Sequence, residues 1–103
     1  MADQHVLHFE WDESKNSINQ KKHGIPFAEA ISVFHDQNAL SMFDPDHSQA
    51  EDRWITIGRN KSGIVLIISH TYRNYDENEE NIRIISARTA TKNEEKEYYS
   101  NCL

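Results

Sequence analysis

The chain has 103 residues, a mass of 12.1 kDa and one cysteine, Cys102. This length supports one modest hydrophobic core, so we predict a single domain over residues 1–103. One cysteine excludes an internal disulfide, and no apolar run in the sequence approaches the ~20 residues of a membrane-spanning helix. The first residues lack the cationic start and apolar stretch of a signal peptide, so we expect a cytoplasmic protein with no membrane partner.

The net charge is −6, from 11 Lys and Arg against 17 Asp and Glu. Taken alone, this balance argues against a nucleic-acid binder. Four of the acids, however, fall in residues 76–80, and the basic residues are spread along the chain. The composition therefore leaves open whether the fold gathers the basic side chains on one face.

The first half of the sequence favours one strand and two helices. Residues 5–11 carry apolar side chains that suit a strand. Asp12 suits the N-cap of a helix that ends at Gly24, with basic residues in its last turn. Pro26 begins a second helix. Its apolar residues recur with helical spacing and predict a face that packs on the core: Phe27, Ala30, Ile31 and Phe34.

The second half favours strands, which we predict at residues 39–43, 53–59, 64–72 and 82–88. The strand at 64–72 is apolar on both faces, so we expect it to be central and covered on both sides. A polar loop occupies residues 44–52 and an acidic loop residues 74–81. Thr91 and Glu94 form a capping box that opens a short C-terminal helix.

The resulting order is β-α-α-β-β-β-β-α, which predicts an α+β domain. Because the connections are short, we expect an antiparallel sheet with the helices packed on one face. Two helices and one short terminal helix would leave part of such a sheet uncovered. An apolar surface of that kind usually indicates a protein partner.

The sequence contains no recognisable metal or cofactor motif. His5 and His8 lie three residues apart on a predicted strand, so their side chains point to opposite faces. No second cysteine, glycine-rich phosphate loop or GxSxG motif is present. We therefore predict no metal and no cofactor.

Several residues have both an ordinary and a functional interpretation. Lys22 and His23 before Gly24 suit a helix end, but a histidine can also transfer protons and a lysine can hold a phosphate. Arginines on strands usually reach solvent or pair with acids, yet their planar groups can also clamp phosphate. Trp11 suits the core, or a stack against a base. Local chemistry alone does not reach a function.

Six segments together resemble the BrnT family of toxins from bacterial type II toxin–antitoxin systems. They are FEWD at 9–12, N-x-x-K-H-G at 19–24, PFAEAISVF at 26–34, D-P-D-H-S at 44–48, ITIGR at 55–59 and RIISAR-x-A-T at 83–91. The resemblance spans about residue 8 to residue 99 and rests on the order and spacing of these segments.

The resemblance implies a RelE-like fold and an endoribonuclease that cuts RNA without a metal cofactor and thereby suppresses translation. It implies a BrnA-type antitoxin, a ribbon-helix-helix protein through which the complex would reach operator DNA. The site residues that it implies are Lys22, His23, Arg59, Arg83, Arg88, Glu10 and Trp11. His23 or Glu10 would transfer protons, and Lys22, Arg59 and Arg88 would face phosphate charge. Trp11 would stack on a base, and Arg83 and Lys21 would add RNA contacts.

Two other functions stay open. The first is a catalytically inert module that acts with its antitoxin as a transcriptional co-repressor, and the second is a protein that binds RNA or ribosomes without cleavage. The presence of the whole basic set favours activity. The acidic residues 76–80 would repel RNA if they overhang the cleft, or would attract a basic antitoxin if they face it.

Overall fold

The computed structural model describes residues 6–76 and 78–102, without the side chains of residues 74–76. Strands and helices follow one another in the predicted order. They are β1 (Val6–Glu10), α1 (Glu13–His23), α2 (Phe27–Ala30), β2 (Leu40–Phe43), β3 (Trp54–Arg59), β4 (Val65–Asp76), β5 (Glu79–Thr89) and α3 (Lys92–Ser100). Two 3-10 turns, Ile31–His35 and Pro45–His47, follow α2 and β2.

The sheet has the strand order β1-β5-β4-β3-β2. Strands β2 to β5 pair antiparallel, as expected for strands joined by short connections. Strand β1 instead lies parallel to β5, so the expectation of a wholly antiparallel sheet was wrong at this pair. The reason is that β1 joins the far edge of the sheet beside the last strand, where no hairpin connection sets its direction.

The helices cover both faces of the sheet rather than one. Phe27, Ala30 and Val33, from α2 and the turn after it, pack on β4 and β5 residues such as Ile68 and Ile84. Tyr98 of α3 packs on the opposite face, against Ile57, Val65 and Ile67. The expectation of helices on one face was therefore wrong for α3. Residues of both faces of β4 are buried, which confirms its predicted central position.

Helix α1 is attached mainly through side-chain amides. Its one apolar side chain, Ile18, is 63% exposed. Buried Asn19 donates to the carbonyl oxygens of Ile25 at 2.9 Å and Ala87 at 2.8 Å, and its oxygen accepts from the Ala87 N–H at 3.1 Å. Because β1 ends opposite Arg83, α1 takes over the free edge of β5 beyond that point. Its C-terminal end thus lies beside residues 85–87.

Two predicted boundaries moved. The segment predicted as an acidic loop at 74–81 is largely strand, because β4 continues to Asp76 and β5 begins at Glu79. Of its acids, Glu77 and the side chain of Asp76 lie outside the described residues. The second helix is α-helical only over Phe27–Ala30 and then tightens into the 3-10 turn. Within 6–76 and 78–102, no helix combines the length and apolar character that crossing a membrane requires.

Candidate active site

A groove lies on the sheet face that α3 only partly covers. A β-bulge shapes its centre, because Ser69 pairs with Ser86 whereas the next residue, His70, pairs with Ile84. The extra residue, Ile85, and Ser86 both line the groove. Bulges of this kind redirect side chains beside functional sites. Here the bulge produces a depression of about 280 Å³ between β3, β4 and β5.

A second depression, of about 200 Å³, adjoins the first at the edge of β5. Lys22 and His23 line it together with Ile85 and Ser86, which also line the first depression. We call the two depressions together the sheet groove. Its walls carry Lys22 and His23 at the α1 end and Asp44, His47, Arg53 and Arg88 at the β3 end.

The α1 end of the sheet groove is basic for reasons of helix structure. The cations Lys21, Lys22 and His23 occupy the last turn of α1, and Gly24 ends the helix in the left-handed conformation with a φ of 73°. All three side chains are exposed, and none has an ion-pair partner among the described acids. Lys21 lies on this turn but does not line the groove. Lys22 and His23 can therefore both stabilise the end of α1 and face a bound phosphate.

Arg88 lies in the sheet groove and is held rigidly. Its guanidinium donates to both carboxylate oxygens of Glu94, at 2.8 and 2.9 Å. This bond from Arg88 lowers the pKa of Glu94 to about 2, and the same carboxylate accepts the N-cap N–H of Thr91 at 2.8 Å. The pair fixes the position of Arg88 but neutralises part of its charge.

Arg83 and Glu10 lie on the same sheet face, toward β1, but do not line the groove. The two residues are Cα partners in the parallel pair of β1 and β5. Arg83 forms an ion pair with Glu51, and Glu10 accepts a hydrogen bond from the Asn81 amide at 2.6 Å. Each of these predicted site residues therefore already has a protein partner.

Arg59 and Trp11 lie away from the sheet groove. Arg59 lines a separate depression with Asp36, and its backbone N–H donates to the Asp36 carboxylate at 2.8 Å. Burial would raise the pKa of Asp36, but this bond and one from the Tyr98 hydroxyl outweigh it and lower the pKa. The Trp11 ring packs edge-on against Phe27 with centroids 6.1 Å apart. Trp11 therefore belongs to the helix-side core.

A comparison with models of protein families shows the family of this chain. The model of the ribonuclease toxin BrnT of type II toxin–antitoxin systems matches residues 11–94. The chain belongs to the BrnT family. It is also similar to the 1.1 Å crystal structure of the Brucella abortus ribonuclease toxin BrnT, with 25% identity and a TM-score of 0.59. That match covers 84% of this chain and 100% of the other. No curated protein sequence matches the chain.

Membership of the BrnT family confirms the predicted toxin family, its ribonuclease character and an antitoxin partner. The α+β fold with a five-stranded sheet is confirmed as well. Both ends of the sheet groove fall inside the segment that the BrnT model matches, whereas Glu10 lies just before it. Among the described residues, no three His, Cys, Asp or Glu side chains are grouped as metal ligands.

The sequence predictions for this BrnT-family chain missed three residues of the sheet groove: Asp44, His47 and Arg53. A signal was present, since D-P-D-H places an acid and a histidine three residues apart around a proline. That spacing brings the two side chains together in a 3-10 turn, where side chains at i and i+3 align. The segment was interpreted as a polar loop and as part of the family resemblance, but none of its residues was predicted as a site residue.

Proposed function

We propose that the protein is a metal-independent endoribonuclease that cleaves RNA and thereby suppresses translation. Its partner would be a BrnA-type antitoxin, a ribbon-helix-helix protein, and the complex would bind operator DNA only through that antitoxin. The observation that carries the proposal is the sheet groove, which gathers basic groups on a partly uncovered sheet face in a chain of a ribonuclease-toxin family.

The groove has the side chains that metal-free RNA cleavage requires. A base must remove the proton of the 2′-hydroxyl, and cations must stabilise the charge that grows on the phosphate. Lys22, His23 and Arg88 line the groove and can supply these functions. Lys21, Arg83 and Glu10 lie beside it and would contact the strand on either side. We propose that Arg59 and Trp11 contact RNA outside the groove.

A second function, the catalytically inert co-repressor, is favoured by one observation. Two of the arginines on this sheet face are already engaged by acids, Arg83 by Glu51 and Arg88 by Glu94. In a chain of net charge −6, this engagement reduces the positive charge available to RNA. The two functions differ in a single measurable property, cleavage by the free protein.

The test is RNA cleavage by purified protein, free of antitoxin, with EDTA present. His23→Ala and Arg88→Ala change the groove, and Arg59→Ala changes the separate depression. We expect cleavage that survives EDTA and falls about 100-fold or more in the two groove variants, at equal thermal stability. Loss in Arg59→Ala as well would extend the site beyond the groove. No cleavage, even with ribosomes added, would favour the inert module.

A further inference from the structure

We propose that His47, oriented by Asp44, takes the proton from the attacking 2′-hydroxyl of RNA, while Arg53 faces the scissile phosphate. The inference rests on the proposed ribonuclease function and names the proton-transfer group of its site. His47, Asp44 and Arg53 line the β3 end of the sheet groove together with Arg88, Ser69 and Ser86.

The side chains of Asp44 and His47 form an oriented pair. The imidazole Nδ1–H donates to the Asp44 carboxylate at 2.8 Å. The carboxylate side chain is 12% exposed, and the imidazole is 67% exposed. In the neutral imidazole, a shielded carboxylate that accepts from Nδ1–H selects the tautomer in which Nε2 is the acceptor. His47 thus presents a proton acceptor at the mouth of the groove.

The loop that carries this pair is tied to Arg53, the residue directly before β3. The Ser48 hydroxyl donates to the Asp44 carbonyl at 2.5 Å and accepts from the Arg53 N–H at 3.0 Å. The Asp44 N–H in turn donates to the Arg53 carbonyl at 2.8 Å. These bonds hold His47 and Arg53 in a fixed relation before any substrate binds. Such preorganisation is what transition-state stabilisation requires.

Arg53 differs from Arg83 and Arg88, the two arginines of this sheet face that form ion pairs with acids. Arg83 and Arg88 pair with glutamates, whereas Arg53 forms no ion pair with any described residue. Its Nε is shielded from solvent and, within the described chain, has no hydrogen-bond partner. A shielded donor without an acceptor is unfavourable in a folded protein. The guanidinium lines the groove with a charge that no described acid neutralises, and a phosphate of the substrate would pair with that charge.

The proposed step is an internal transfer at phosphorus. Nε2 of His47 takes the 2′-hydroxyl proton, and the 2′-oxygen forms a bond to the adjacent phosphorus. The bond from phosphorus to the 5′-oxygen breaks, and the leaving oxygen takes a proton from water. Protonated His47 returns its proton to the hydroxide that results. The products are a 2′,3′-cyclic phosphate and a 5′-hydroxyl, and no oxidant, reductant or metal is consumed.

The test compares single-turnover cleavage by the wild-type protein, His47→Ala, His47→Gln and Asp44→Asn, in EDTA. We expect both His47 variants to lose about 100-fold or more in rate, because a positioned base contributes at least that factor. Binding of a 2′-deoxy RNA analogue should stay within about twofold, since the base acts on the reaction rather than on affinity. Asp46→Asn, an exposed acid in the same turn, is the matched control for Asp44→Asn.

Added imidazole distinguishes the loss of a catalytic base from a structural defect in the site. In His47→Ala, free imidazole should restore part of the cleavage rate, and in His23→Ala it should not, because only the missing base of the first step is replaced. His47 variants that cleave within threefold of wild type, or that lose activity with no imidazole rescue, would overturn this inference while leaving the ribonuclease proposal intact. A wild-type protein that does not cleave RNA at all would instead reject the proposed function.

Discussion

At the scale of single residues, His70 in the helix-side core has a pKa that its surroundings lower strongly. Its ring is fully buried between Phe34 and Tyr72, with centroids 5.0 and 4.8 Å away. Nε2 shares a hydrogen bond of 2.6 Å with the Thr56 hydroxyl. Burial lowers the pKa of His70 to about 4, against the opposing effect of a bond to the Thr71 carbonyl. The folded protein therefore holds a neutral imidazole at neutral pH.

This burial makes stability depend on pH in a defined direction. The unfolded chain binds a proton on His70 below its ordinary pKa of 6.5, and the folded chain only below about 4. The unfolded state thus binds more protons between these values, so the free energy of unfolding is highest above pH 6.5 and falls toward pH 4. The loss amounts to about 3 kcal/mol. Urea unfolding at pH 7 and pH 4.5 measures it.

His70→Gln is the comparison for this prediction, because an amide can keep the bond to Thr56 and does not titrate. We expect this variant to lose less stability than wild type between the two pH values, whatever its stability at pH 7. Equal losses in the two proteins would show that other groups, not His70, cause the acid sensitivity.

The residues of the sheet groove could be predicted only in part. Lys22 and His23 stand out because a helix end and its glycine are local features of the sequence. Arg53 and the pair of Asp44 and His47 did not stand out. Their importance arises because the fold places them around one depression with β4 and β5 residues that are distant in the chain. A local sequence pattern cannot predict that the Arg53 guanidinium has no acidic partner among the described residues of the folded protein.

At the level of elements, the attachment of α1 through Asn19 is decisive for the groove. The Asn19 amide replaces a neighbouring strand at the edge of β5, since it pairs with both the N–H and the carbonyl of Ala87. Lys22 and His23 follow on the next turn and line one depression with Ile85 and Ser86. One buried amide therefore positions the basic end of the sheet groove.

Asn19→Ala should destabilise the protein and weaken cleavage together. It leaves backbone groups of Ile25 and Ala87 without partners, at a cost of about 3 kcal/mol in the free energy of unfolding. Urea unfolding measures that cost, and hydrogen exchange at the Ala87 amide should accelerate. Gln20→Ala, on the exposed side of the same helix, is the control. An unchanged Ala87 exchange rate in Asn19→Ala would contradict the proposed attachment.

Elements with local signals were predicted and are confirmed. Helix α1 covers Glu13–His23, with the Asp12 carboxylate accepting from the N–H groups of Ser14 and Lys15. The Thr91 capping box opens α3. The parallel pairing of β1 and the sheet face chosen by α3 were not predicted, because both depend on where distant parts of the chain meet. The length of β4 was underestimated because polar residues 73–76 resemble a loop.

For the whole molecule, the question is how a chain of net charge −6 can bind an anionic RNA substrate without repelling it. The groove centre lies at the pair Ser69 and Ser86, and the acidic end of the hairpin at the pair Asp76 and Glu79. Seven residues of strand at ~3.3 Å each separate the two, or about 23 Å. Charges are screened over about 8 Å at physiological salt. The acidic end is thus too distant to repel a phosphate at the groove centre.

The acidic end should therefore influence the antitoxin rather than the RNA. Asp76→Asn with Glu77→Gln changes the net charge from −6 to −4, because two negative charges are removed. We expect this variant to bind a basic antitoxin more slowly, with a weaker dependence of the association rate on salt. Cleavage of RNA by the free toxin should stay within about twofold of wild type, because the screening length is short.

The control for this prediction removes the same charge elsewhere. Glu29→Gln with Glu95→Gln, two exposed positions on α2 and α3, also gives −4. If both double variants slow antitoxin binding equally, net charge alone controls the encounter and no local steering exists. If neither alters the association rate or its salt dependence, the antitoxin approaches without help from these acids. A gain in RNA cleavage confined to the Asp76 and Glu77 variant would show that the hairpin end does reach the groove.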